Sequence, residues 1–318
     1  MTINQVQELG SKLLNNMSKV VIGKPRVLSL TIAAMLAQGN ILLEDVPGTG
    51  KTMLAKSLAR SVDAKFSRVQ FTPDLLPGDI TGVSIFDKNS NTFTFHKGPL
   101  FTNILLADEI NRATPRTQSA LLEAMEEKQI TVDGVSRALE GFFFTVATQN
   151  PIETYGTFPL PEAQLDRFMM KLTLGYPSAE DSKKVFASHL AGDRLEEISP
   201  VCTIDDITEA QKACRGVFVH ECIIDYAQRI IEATRTRDNI ALGASTRAGL
   251  VLLHAAQAVA ALSGRDYVSP DDIKALAEPV LAHRIILRAG ERREGLSAAN
   301  AIASIVSSVD VPTEDWKR

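Results

Sequence analysis

Between residues 40 and 177 the chain alternates short apolar runs with stretches of helical spacing, the form of βαβ units around a parallel sheet. Residues 40–43, 65–71, 103–107, 141–148 and 170–174 read as strands, and 52–62 as a helix. Runs this apolar suit strands covered on both faces. Two stretches interrupt the alternation, and both predict β-hairpins. Residues 79–100 hold two alternating segments around Asn89, Ser90 and Asn91, and residues 129–139 turn at Asp133-Gly134. Hairpins projecting from such a sheet suggest contact with another molecule. After Pro177 the strand-like runs give way to amphipathic helices over 178–190, 204–214, 220–235, 246–263, 269–284 and 297–308. Ser269, Pro270, Asp271 and Asp272 make a helix start with an N-cap, a proline and acids in the first turn. The expected class is therefore α/β: a parallel-sheet domain over 1–177 and a small all-helical domain over 178–318.

Composition narrows the function classes. The chain has 318 residues, 45% hydrophobic and 23% charged, which excludes disorder, collagen-like repeats and a disulfide scaffold. A net charge of -4 weighs against a nucleic-acid binder that works through bulk charge. The first residues lack the apolar core of a secretory signal, and the run 249–262 contains His254 and Gln257 and is too short to span a bilayer. No membrane insertion is expected. Cys202, Cys214 and Cys222 form no CxxC pair and read as buried reduced thiols of a cytoplasmic protein. The five histidines (His96, His189, His220, His254 and His283) show no zinc spacing.

The sharpest motif runs from Asp45 to Thr52, straight after a strand and opening a helix. It matches the Gly-Lys-Thr end of the phosphate-loop template GxxxxGK[ST], with Asp45 in place of the first glycine and Pro47 to fix the turn. Gly48 and Gly50 let backbone amides converge on phosphate oxygens, aided by the following helix N-terminus. Pro47, Gly48, Thr49, Gly50, Lys51, Thr52 and Met53 are thus the phosphate-binding candidates. Lys51 reaches the β- and γ-phosphates, and the Thr52 hydroxyl ligates Mg²⁺. The strand 104–107 ends in Asp108-Glu109, 57 residues after Lys51, which delivers two carboxylates to the same sheet edge. Asp108 completes the Mg²⁺ shell and Glu109 polarises a water for in-line attack, a Walker B arrangement. A third strand ends in Gln149-Asn150-Pro151, whose amide can orient that water or sense the γ-phosphate.

With these motifs in place, the chain resembles the MoxR-type AAA+ ATPases over nearly all its length. The resemblance rests on LLEDVPGTGKT, ADEINRATPRTQSALLEAMEE, VATQNP, PEAQLDRF and GASTRA. It implies a P-loop AAA+ core with a helical lid, and ATP or ADP with Mg²⁺ held between core and lid of one subunit. It implies that Asn150 is sensor 1, that Arg167 is an arginine finger for a neighbouring subunit's ATP, and that Arg247 is sensor 2 at the start of a lid helix. Val21, Ile22 and Gly23 resemble the segment that contacts adenine. The hairpins resemble the helix-2 insert and the pre-sensor-1 hairpin, and Arg112 and Arg116 are further candidates for contacts between subunits. For Arg167 an ion pair with Asp166 is the plain alternative. For Arg247 a helix start is electrostatically poor, which calls for an anionic partner. By the same resemblance the protein is a homo-oligomer, a hexameric ring, acting on protein clients beside a partner with a von Willebrand factor A domain. The rivals are a nucleic-acid motor, opposed by the acidic balance and by hairpin tips (88–91 and 133–134) without basic-aromatic interleaving, and a metal-chelatase motor subunit. A non-hydrolysing switch is disfavoured by the complete set of catalytic residue types, and a GTPase by the missing Asn-Lys-x-Asp motif.

Overall fold

The apolar runs of the first half do form one sheet. The computed structural model describes residues 1–89, 91–151, 156–192, 194–290 and 296–313. Its central sheet holds β1 (Ile41–Glu44), β2 (Phe66–Gln70), β5 (Ile104–Asp108), β8 (Phe144–Gln149) and β9 (Met170–Leu172), all parallel, in the order β2-β5-β8-β1-β9. Every residue of β5 is buried, as the unbroken apolar run requires. Alternate residues serve opposite faces: Ile41 and Leu43 join the core under α1 (Ile3–Ser18), α2 (Pro25–Leu36) and α3 (Lys51–Ser61), whereas Leu42 joins the core under α4 (Pro77–Thr81) and α5 (Pro115–Glu127).

Both hairpins are present. β3 (Gly82–Asp87) pairs with β4 (Thr92–Lys97), and β6 (Gln129–Val132) with β7 (Val135–Ala138). Asp133 and Gly134 both take positive φ (54° and 73°), as a two-residue hairpin turn demands. Of the other turn, Ser90 lies outside the described residues. The Arg137 guanidinium lies 3.9 Å from the Phe95 ring centre and joins one hairpin to the other.

The second half is helical, with α7 (Ala179–Ala191), α8 (Ile204–Arg215), α9 (Glu221–Thr236), α10 (Thr246–Leu262), α11 (Pro270–Leu281) and a last helix, Ala298–Ser308. Three features depart from the pattern-based expectation. The predicted helix 269–284 stops at Leu281 and tightens into a 3₁₀ turn over Ala282–Arg284, with Pro279 in its last turn. A short ribbon, β10 (Ile240–Leu242) with β11 (Ile286–Leu287), is too brief for periodicity to reveal. Finally, α1 and α2 form where the alternating pattern predicts no element, and Thr2 and Gln5 form a capping box that marks the start of α1. These two helices pack against α8 and α10, and α1 also against α3, so the chain's first residues bridge the sheet and the helical half. No helix among the described residues is long and apolar enough to cross a membrane.

Candidate nucleotide site

At the carboxyl edge of the sheet β1 runs into residues 45–50, and α3 begins at Lys51. Gly48 (φ 82°) and Gly50 (φ 96°) occupy backbone conformations that L side chains rarely adopt. A Cβ on either would meet no atom within 4 Å, so the loop keeps open space over its amides. That space, capped by the first turn of α3 with Thr52 and Met53, fits a phosphate chain. The Lys51 ammonium reaches across the loop and donates to the Asp45 carbonyl (2.7 Å), and the Thr49 hydroxyl donates to the Val46 carbonyl (3.3 Å).

Asp45 has a structural task. Its buried carboxylate accepts the amides of Leu174 (2.6 Å) and Gly175 (2.9 Å), and its own amide donates to the Gln149 carbonyl. The residue thus ties the loop to β8 and to the segment following β9. The expected adenine segment borders the same edge. Lys24 donates to the Tyr176 carbonyl, and Gly23 (φ 74°) lies so close to α7 that a Cβ there would run into the Asp181 carboxylate. Val21 is buried and Ile22 partly so.

Two strands away from β1, beyond β8, β5 delivers the acids. Asp108 is buried, with Oδ1 accepting the Thr148 hydroxyl (2.6 Å) and Oδ2 accepting Arg68 (2.7 Å). Glu109 takes a left-handed backbone (φ 58°, ψ 49°), an uncommon conformation outside glycine, and its amide donates to Thr148 Oγ1. Gln70 (2.8 Å) and Arg112 (3.1 Å) both donate to Glu109 Oε2. Asn150 is buried at the end of β8. The structure therefore gathers Lys51, Thr52, Asp108, Glu109 and Asn150 at one edge, where open parallel sheets bind ligands. Sequence reasoning missed Arg68 and Thr148; the hydroxyl of Thr148 at the end of its strand, beside Gln149 and Asn150, was the available signal. Arg112, read as a contact between subunits, donates to Glu109 in its own chain.

Arg167 and Arg247 lie elsewhere. They line a cavity of about 280 Å³ with Gln38, Gly39 and Asn40, which precede β1, and Met169, which precedes β9. That is the amino edge of the sheet, roughly 15 Å from the phosphate loop by the length of β1 and its flanks. The expectation that Arg247 sits upon its own chain's nucleotide is corrected here. Helix α10 packs against α1, α2, α8 and α9, and this carries its first turn to the amino edge. Both arginines pair with Glu126, Arg247 at 2.8 Å. Glu126 is the anionic partner that the placement of Arg247 required. Asp166 is engaged by Arg284 (2.7 Å) and by Arg247 (3.9 Å), not by Arg167.

Arg284 was also missed, for it has no local signature. Nearly fully buried, it donates to the carboxylate and carbonyl of Asp166 and to the carbonyls of Phe168, Met169 and Val280, and so fixes the backbone on both sides of Arg167. Burial pushes its guanidinium below the usual arginine range, against the opposing pull of Asp166. His283 beside it contacts the Phe168 carbonyl (3.0 Å), and burial with the Arg284 charge pushes it down to about 3. Cys202 and Cys214 are buried thiols pushed up to about 12.

Comparisons with known proteins agree with this geometry. A model of the ATPase family associated with various cellular activities (AAA) matches residues 40–170, and an AAA lid-domain model matches 232–305. The chain is 46% identical to the uncharacterized protein YeaC of Bacillus subtilis, over 95% of each chain. It is 37% identical to chaperone MoxR1 of Mycobacterium tuberculosis, over 92% of this chain and 80% of that one. A crystal structure from Cytophaga hutchinsonii superposes with a TM-score of 0.90 and 37% identity, covering 98% of this chain and 97% of the other. With the phosphate loop, the paired acids and the two matched domains in one chain, the protein belongs to the MoxR family of AAA ATPases.

Proposed function

We propose that this chain is an Mg²⁺-dependent ATPase that works as a homo-oligomeric ring, a hexamer, and remodels or activates client proteins in the cytoplasm. The division is a core over 1–177 and a lid over 178–318. The observation that carries the reading is the separation of the two half-sites. Phosphate loop and acids occupy one edge of the sheet, while Arg167 and Arg247 occupy the opposite edge of the same chain. A head-to-tail ring apposes such edges between copies, so that each nucleotide sits between two chains.

In this reading Gly48, Thr49, Gly50 and Lys51 hold the phosphates, with Pro47 and Met53 flanking them. Val21, Ile22 and Gly23 border the base. Thr52 and Asp108 would hold Mg²⁺, which would supply positive charge against the charge developing on the transferring phosphoryl group. Asp108 is held in place by Arg68 on Oδ2 and Thr148 on Oδ1. Glu109, held through Oε2 by Gln70 and Arg112, accepts a proton from the attacking water, and Asn150 orients that water. Arg167 and Arg247 leave Glu126 for the neighbouring copy's γ-phosphate, where fixed positive charge favours the transition state. A partner with a von Willebrand factor A domain and protein clients follow from the family resemblance, supported by the chaperone named among the relatives.

Glu109→Gln and Lys51→Ala test the assignment. Glu109→Gln binds ATP and hydrolyses it about a thousandfold more slowly, whereas Lys51→Ala fails to bind it. Rapid single-turnover hydrolysis by Glu109→Gln sinks the proposal.

A further inference from the structure

The cavity at the amino edge holds more positive charge than Arg167 and Arg247 account for. Lys128 and Arg215 also line it, together with His254. The two carboxylates of its lining are already engaged, Glu126 by Arg167 and Arg247, and Asp166 by Arg284 and Arg247. Among the described residues no carboxylate pairs with Lys128 or Arg215; Arg215 donates instead to Gln38 Oε1 at 2.6 Å. Burial, and secondarily the Arg215 charge, push the Lys128 ammonium below the usual lysine range. A partly desolvated cation facing another cation, with no counter-ion, is destabilising until an anion arrives.

The backbone at Lys128 is also fixed in an uncommon way. Lys128 ends α5 in a left-handed conformation (φ 52°, ψ 32°), which non-glycine residues adopt at a cost. Its amide donates to the Ala124 carbonyl, and its carbonyl accepts the Leu139 amide. Helix α5 and the β6–β7 hairpin therefore meet at this residue, and both hold it at the cavity. The same helix carries Glu126 two residues earlier, and Lys128 and the carboxylate that engages the two arginines line one cavity.

We propose that Lys128, with Arg215 behind it, forms with Arg167 and Arg247 a polyphosphate site that receives the triphosphate seated on an adjacent copy's phosphate loop. The proposal rests on the reading that Arg167 serves a neighbouring copy. Three cations then approach the same phosphate chain from one partner, with Arg215 keeping the field positive behind them. The charge count supports this: five cations line the cavity against two carboxylates, a balance that an incoming anionic phosphate chain corrects. A free polyphosphate held by one chain alone has the same chemistry, so the test separates the two sources.

The test uses full-length Lys128→Met and Lys128→Arg chains, each also mixed with Lys51→Ala chains. Lys128→Met lowers kcat for ATP about a hundredfold, the size of losing one charged contact to a transferring phosphoryl group, with its thermal midpoint unchanged. Lys128→Arg keeps most of the activity. Mixing Lys128→Met with Lys51→Ala restores turnover, because the second chain brings an intact Lys128 to the first chain's nucleotide. Wild-type kcat in Lys128→Met overturns the proposal. So does a loss that Lys51→Ala does not restore while it does restore Arg167→Ala in a parallel mixture; that result leaves the ring reading standing. If neither mixture recovers, the ring reading falls and takes this proposal with it. Binding of tripolyphosphate by dilute monomeric Lys51→Ala chains that is lost on adding Lys128→Met assigns the site to one chain and also overturns it.

Discussion

Asp45→Gly restores the glycine of the phosphate-loop template, and it should weaken the protein. Asp45 has an ordinary negative φ, so the position has no need of glycine's freedom. Its carboxylate is 5% exposed and accepts the Leu174 amide at 2.6 Å and the Gly175 amide at 2.9 Å. Without it, both amides lose a charged acceptor, and the Leu174 amide lies where water has little access. Each lost bond costs about 1–3 kcal/mol, and glycine adds about 0.5–1 kcal/mol through the freer unfolded chain. Water reaching Gly175 trims the sum, leaving roughly 3 kcal/mol. Urea unfolding followed by far-ultraviolet circular dichroism measures this. Asp45→Asn, which keeps an oxygen acceptor, should lose only about 1 kcal/mol. An Asp45→Gly chain as stable as the parent would refute the assigned role, because it would leave the two amides with nothing to miss.

Two further outcomes concern the amino edge. His283, held neutral with its pKa near 3 against an unperturbed value of 6.5, takes up a proton on unfolding. Its contribution is complete above pH 6.5 and is lost as pH falls towards 3, about 2 kcal/mol of it between pH 7.5 and 5; His283→Gln should flatten that part of the stability profile, and an unchanged slope rejects it. Arg284→Lys keeps the charge but cannot span Asp166, Phe168 and Met169, so kcat should fall at least about tenfold with little change in KM. Mixing with Lys51→Ala chains should restore it, whereas a purely destabilised chain would not be restored.

What the sequence disclosed was local. The phosphate loop, Asp108-Glu109 and the β-strands follow from residues adjacent in the chain, where turn chemistry and period act directly. The acid pair's supports were hidden because Arg68 and Thr148 each reach Asp108 from 40 residues away. Arg284 lies 118 residues from Asp166, and its buried fork has no local pattern. The motif GASTRA singled out Arg247, but not its edge of the sheet. That depends on how α10 packs against α1 and α2, contacts between segments more than two hundred residues apart that no local pattern encodes. Asp45 shows the converse: its departure from the template is explained by two amides far along the chain.

The most direct measurement is a structure of the Glu109→Gln protein with Mg²⁺ and ATP. The account predicts a nucleotide between two copies, its phosphates in the loop of one chain and its γ-phosphate within hydrogen-bond distance of the neighbour's Arg167 and Arg247, freed from Glu126. An Arg247 bound to the γ-phosphate of its own chain's nucleotide would contradict it.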